Sequence, residues 1–101
     1  MSPAPQLEVV LAKLRPEMAS LRRLFDVEGL AVFGSVSRGE ARPDSDVDVL
    51  ATFRTPEDFD RLMDLKFYLE RLLGARVDLV SDDAIRAEIK EFVNREAVRV
   101  S

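Results

Sequence analysis

The chain has 101 residues, 47% hydrophobic and 34% charged, a size and balance that fit one packed domain and exclude a disordered tail or a bundle of membrane spans. It contains no Cys and no His, which excludes disulfides, thiolate and imidazole catalysis and His-ligated zinc, so any metal must be held by oxygen, as Mg²⁺, Mn²⁺ or Ca²⁺ is. A net charge of −4 argues against broad nucleic-acid binding, which rests on Lys and Arg neutralising phosphates.

In chain order, Pro3 and Pro5 give a loose start with no resemblance to a signal peptide, and a cytoplasmic location is expected. Leu7, Val10, Leu11 and Leu14 recur at helical spacing, and the pattern resumes with Met18, Leu21, Leu24 and Phe25. Pro16 should break or kink this run, or open a second helix. Gly29 is expected to end the region. Leu30–Phe33 reads as a short buried strand, too short to cross a bilayer, interrupted at Gly34-Ser35. Residues 36–45 are polar and carry Gly39 and Pro43, so they predict a loop with room for one helical turn.

Asp46–Phe53 alternates in part and predicts a second strand. Thr55-Pro56-Glu57-Asp58 is a helix start, with Thr55 as N-cap and acids in the first turn. Phe59, Leu62, Met63, Leu69, Leu72 and Leu73 supply its buried stripe, and Gly74 its stop. Arg76–Val80 predicts a third strand. Ile85, Ile89, Phe92 and Val93 mark a last helix, and Ala97–Val100 an edge strand. Strands interleaved with helices predict an α/β (α+β) fold, one domain over residues 1–101, with a sheet packed against helices.

The acids on these strands carry the chemistry. Two strand residues, as with Asp46 and Asp48, rise roughly 6.6 Å and share a face. That spacing lets two carboxylates converge on one cation, or on two about 3.5–4 Å apart. Asp78 repeats the apolar-acid-apolar pattern and becomes the third carboxylate if its strand lies close. Two unpaired carboxylates roughly 6 Å apart repel by about 3 kcal/mol at an effective dielectric of about 20. Strands disfavour Asp, so solvent-facing filler is the weaker explanation.

Gly34-Ser35 ends a buried strand where backbone can approach a phosphate closely, and Arg38 adds a guanidinium suited to phosphate oxygens. Two other motifs fail. Asp44-Ser45-Asp46-Val47-Asp48 imitates an EF-hand loop, but Val49 and Thr55 stand where Gly and Glu are needed. Gly34 to Gly39 has P-loop glycine spacing, but Glu40 and Ala41 replace the Lys and the hydroxyl.

Gly34-Ser35-Val36-Ser37-Arg38-Gly39-Glu40-Ala41, then Ser45-Asp46-Val47-Asp48-Val49-Leu50, then Val77-Asp78-Leu79-Val80, resembles the minimal nucleotidyltransferases of the DNA polymerase β superfamily. These are the MNT proteins that pair with HEPN-domain toxins. The resemblance runs from about Leu7 to Val100. It implies a polymerase β-like fold with a mixed sheet, and two Mg²⁺ ions held by Asp46, Asp48 and Asp78. Asp78 would help deprotonate the attacking hydroxyl. It also implies that Gly34, Ser35, Arg38 and Ser45 serve the nucleotide, with Gly34 and Ser35 on the β- and γ-phosphates and Arg38 steadying pyrophosphate. Val36 stands where many relatives carry a basic residue, a departure that touches none of the three carboxylates.

The function implied is Mg²⁺-dependent transfer of AMP from ATP to a tyrosine of a HEPN-domain toxin, an antitoxin role. The alternatives are an antitoxin that masks its partner by contact alone and an enzyme acting on a small molecule. The last fits poorly with a chain ending at Ser101, which leaves no second domain to close the carboxylate face. That face is expected to be open, with Leu65, Phe67 and Tyr68 as a docking patch; the alternatives for these three are core packing or a homo-oligomer contact.

Overall fold

Apolar side chains every three or four residues make the chain start helical. In the computed structural model, which describes residues 3–56, 58–85 and 87–100, α1 spans Leu7–Leu14 and α2 spans Met18–Phe25. Arg15–Glu17 join them as a 3-10 turn that carries Pro16 near its start, where a missing N–H costs little. The interruption at Pro16 is therefore a change of helix type. Val10, Leu11, Leu14, Met18 and Leu21 remain buried on both sides of it.

α2 stops at Asp26, whose φ of 58° is left-handed, a region Asp tolerates better than most residues. The end expected at Gly29 therefore falls earlier, and β1 runs Val27–Phe33. Gly29 lies inside β1 at an irregularity. Pairing moves from Val27 to Gly29 on β1 while it moves from Phe53 to Thr52 on β2, Val47–Phe53. The extra residue shifts the in–out alternation, so Val27 and Leu30 both reach the main core.

With β3 at Val77–Ser81 and β4 at Val98–Arg99, the sheet order is β3-β2-β1-β4, β1 being antiparallel to β2 and β4 and β2 parallel to β3. A parallel pair needs a crossover, which α4, Phe59–Leu73, supplies before β3, Val77–Ser81. The cap of α4 is Asp58, which accepts the Arg61 N–H at 2.7 Å. Thr55, expected there, donates its hydroxyl to Asp26 instead. Glu57 lies outside the described residues. Gly74 stops the helix as expected, at φ 65° with its N–H on the Glu70 carbonyl at 2.8 Å. The buried stripe is Leu65, Leu69 and Leu73, whereas Phe59, expected within it, is 73% exposed.

A 3-10 turn at Asp82–Ala84 leads into α5, Ala87–Glu96, and then the short edge strand β4, Val98–Arg99. Val93 of α5 is buried and Phe92 exposed; the Ile89 side chain lies outside the described residues. The main core joins Leu30, Val32, Val47, Val49, Ala51 and Val77 of the sheet to α1, α2 and α4. On the opposite face Ala31 and Leu50 pack with Val93, flanked by Phe33, Val80, Ile85 and Ala97. α5 thus covers part of the second face, and the architecture is a mixed sheet between helices.

Two of the three docking-patch residues are inside this packing. Leu65 is fully buried, and Tyr68 meets Phe25 edge-on at 5.4 Å. Phe67 remains exposed, with Lys66 Nζ 5.4 Å from its ring centroid. Among the described residues no helix is long and apolar enough to cross a membrane.

Candidate active site

Strand pairing builds the centre of the site. In the parallel pair, Asp48 lies directly opposite Asp78, and on its other side Asp48 is opposite Phe33, the last residue of β1. Asp48 is half-buried and Asp78 exposed. They occupy the end of the second face next to the part that α5 covers, so the expected open face is covered at Ala31 and Leu50 and accessible at its acidic end.

Gly34 brings backbone against this pair. Its φ is +72°, and a Cβ there would lie 2.0 Å from Asp48 Oδ2. A side chain at position 34 therefore fails twice, through the left-handed backbone and through collision with the carboxylate. The short helix α3, Gly34–Ser37, follows, with Ser37 Oγ donating to the Gly34 carbonyl at 2.8 Å.

Burial, above all, pushes the Asp48 carboxyl up to about 6. The neighbouring charges of Asp78 and Asp46 and a hydrogen bond with Asp78 add to the shift, and Arg38 partly opposes it. Removing a carboxylate from water and setting another beside it both disfavour its charge, and a bound cation relieves both.

Asp46 is placed differently from its strand-face expectation. It precedes β2, is exposed, and pairs with Arg76 Nε at 3.2 Å. Arg76 also donates to the Asp44 carbonyl at 3.2 Å. Among the described residues no three acids converge closely enough to hold one ion, so the geometry is a carboxylate pair, Asp48 and Asp78, with Asp46 on a neighbouring cation. Such an all-oxygen pair with one carboxyl reluctant to ionise fits a hard divalent cation.

The remaining expected residues surround the pair unequally. Ser35 is half-buried in α3, and its carbonyl accepts the Glu40 N–H at 2.9 Å. Ser45 closes the turn before β2, its hydroxyl accepting the Arg42 N–H at 2.8 Å. Val36 is 1% exposed and belongs to the main core. Arg38 lies at the surface, its Nε 3.3 Å from Glu40 Oε2 and its Nη1 3.1 and 3.0 Å from the two oxygens of Glu96. Those contacts raise the guanidinium pKa above its ordinary value, Glu96 contributing most. Glu96 Oε1 also accepts the Gly34 N–H at 2.8 Å.

Sequence reasoning missed Glu96 and Arg76. One signal for Glu96 was available: an acid in the last turn of a helix opposes the helix dipole and needs a partner.

The chain matches the nucleotidyltransferase domain family over residues 11–100. It is 43% identical over 94 residues to the protein adenylyltransferase MntA of Thermococcus cleftensis, covering 93% of this chain and 95% of that protein. A solved structure of a minimal nucleotidyltransferase superposes with a TM-score of 0.78 at 42% identity, covering 92% and 94% of the two chains. The fold alone is shared with the MNT antitoxin in a complex with a tri-AMPylated Shewanella oneidensis HEPN toxin, at TM-score 0.66 and 18% identity over 90% of this chain and 71% of that one. Strand-borne acids beside a Gly-Ser turn, the mixed sheet and these matches agree: the chain belongs to the nucleotidyltransferase family, in its minimal branch.

Proposed function

We propose that this chain transfers AMP from ATP to a tyrosine hydroxyl of a HEPN-domain toxin and so acts as its cytoplasmic antitoxin. The observation that carries the reading is the Asp48–Asp78 pair, set against the Gly34 backbone with Arg38 close enough to act on Asp48. The name of the Thermococcus relative, a protein adenylyltransferase, supports AMP and a protein acceptor.

In this reading Asp48 and Asp78 would hold Mg²⁺, and Asp46 would join them on leaving Arg76. When bound, the ion neutralises the triphosphate and offsets the charge that develops during transfer. The acceptor oxygen forms a bond to the α-phosphorus as the bond from that phosphorus to the β-phosphate bridging oxygen breaks, and pyrophosphate leaves. The hydroxyl proton passes to Asp78, the exposed and accessible member of the pair. Gly34, Ser35, Ser45 and Arg38 position the nucleotide, Arg38 as the cation for the leaving group. Neither His nor Cys is required, because this chemistry is mostly positioning and charge neutralisation.

The test mixes the protein with a cognate HEPN-domain protein, sought in the neighbouring reading frame, together with Mg²⁺ and ATP, followed by mass spectrometry of the partner. Tyrosine adenylylation is expected with the wild type and none with Asp48→Asn. An unmodified partner, or an Asp48→Asn variant that still neutralises it fully in cells, removes the catalytic reading and leaves masking by contact.

A further inference from the structure

The groups that this reading assigns to phosphate already hold an anion from the chain itself. Gly34 has one N–H to give, and it goes to Glu96 Oε1 at 2.8 Å. Arg38 Nη1 is engaged by both Glu96 oxygens, at 3.0 and 3.1 Å, while its Nε faces Glu40. The Glu96 side chain is only 17% exposed, so the carboxylate lies inside the cradle rather than over its rim. It arrives from the last turn of α5, where the helix dipole disfavours an acid. Its three accepted hydrogen bonds are what a phosphate oxygen would accept from the same donors.

We propose that Glu96 is a resident competitor for the phosphate cradle and thereby sets this enzyme's affinity for its triphosphate. This rests on the assignment of Gly34 and Arg38 to the phosphates. A carboxylate and a phosphate cannot share one N–H and one guanidinium edge without like charges in contact, so the nucleotide binds as the Glu96 side chain swings out. That swing needs side-chain rotation alone, since Val93 anchors α5 to the sheet one turn earlier. The cost of withdrawal is subtracted from the affinity, as for any protein whose competent form is one of two.

Isothermal titration with MgATP, and separately with inorganic pyrophosphate, tests this on the wild type, Glu96→Gln, Glu96→Ala and Arg38→Ala. Gln keeps the shape and removes the charge, whereas Ala empties the cradle. Both Glu96 variants are expected to bind each ligand about tenfold more tightly than the wild type, and Arg38→Ala more weakly. A gain in affinity is an outcome that damage to the fold does not produce. Equal or weaker binding by both Glu96 variants, with normal wild-type binding, overturns the competitor role and makes Glu96 a support for Arg38. Absence of binding in the wild type and both Glu96 variants removes the phosphate assignment itself, and this inference with it.

Discussion

Asp48 carries the largest electrostatic load among the residues of the site. Its folded-state carboxyl is pushed up from 3.8 to about 6, first by burial and then by Asp78 and Asp46. A folded pKa above the unfolded value means that the native state binds the proton more tightly. The stabilising contribution is therefore complete below about 3.8 and is lost as pH rises through about 6. Without divalent cations, Asp48→Asn should gain stability relative to the wild type over that window. Urea unfolding of both proteins across it checks this, and a gap that stays constant or narrows with rising pH contradicts the origin given for the shift. Asp48, Asp78 and Gly34 were legible in the sequence because strand spacing and a glycine after an apolar run are local signals. The contact of Glu96 with Gly34 was not: it spans 62 positions, and only the docking of α5 brings the two together.

At the level of elements, α4 and β3 are tied by one side chain. Glu70 accepts the Val77 N–H at 2.9 Å and pairs with Lys66 Nζ at 3.2 Å, and the Val77 bond above all lowers its carboxyl pKa. A charge-assisted bond to the first residue of β3 holds that strand where Asp78 follows. Glu70→Ala is expected to cost about 1–2 kcal/mol at neutral pH. A depressed folded pKa contributes above the unfolded value, so the loss should fade as pH falls through the folded one. Denaturant titrations at neutral and acid pH measure both.

The sequence was informative about where α4 ends and less so about where β1 begins. Gly74 is a strong stop because only glycine enters the left-handed region cheaply, whereas Asp26 does the same at α2 with no glycine to announce it. The irregularity at Glu28 then hid the start of the strand by breaking its alternation. Phe59 misled for a related reason. It has the period of the α4 stripe, but full burial begins only at Leu65.

Over the whole molecule, one face of the sheet is packed by α1, α2 and α4, and the other by α5 together with Ile85, which leaves the acidic end accessible. An architecture with helices on a sheet follows from the order of elements. The asymmetry between the faces does not, because it depends on which side each crossover takes.

The mixed pairing also orders events in time. β1 and β2 meet as antiparallel neighbours across a connection that holds only the single-turn α3, whereas β3 reaches β2 only after the chain has travelled the length of α4. Long-range parallel pairing is slow because loop closure precedes its reward. The expectation is that Asp48 and Asp78 come side by side only after the folding transition state, when β3 settles on β2. Their repulsion should speed escape from the native state and leave its formation almost untouched. In stopped-flow measurements without divalent cations at neutral pH, Asp48→Asn should unfold more slowly while its refolding rate stays within about twofold of the wild type. A variant that instead refolds faster would mean that β3 docks early. The acids would then slow the making of the fold, and a cation would act as a folding catalyst.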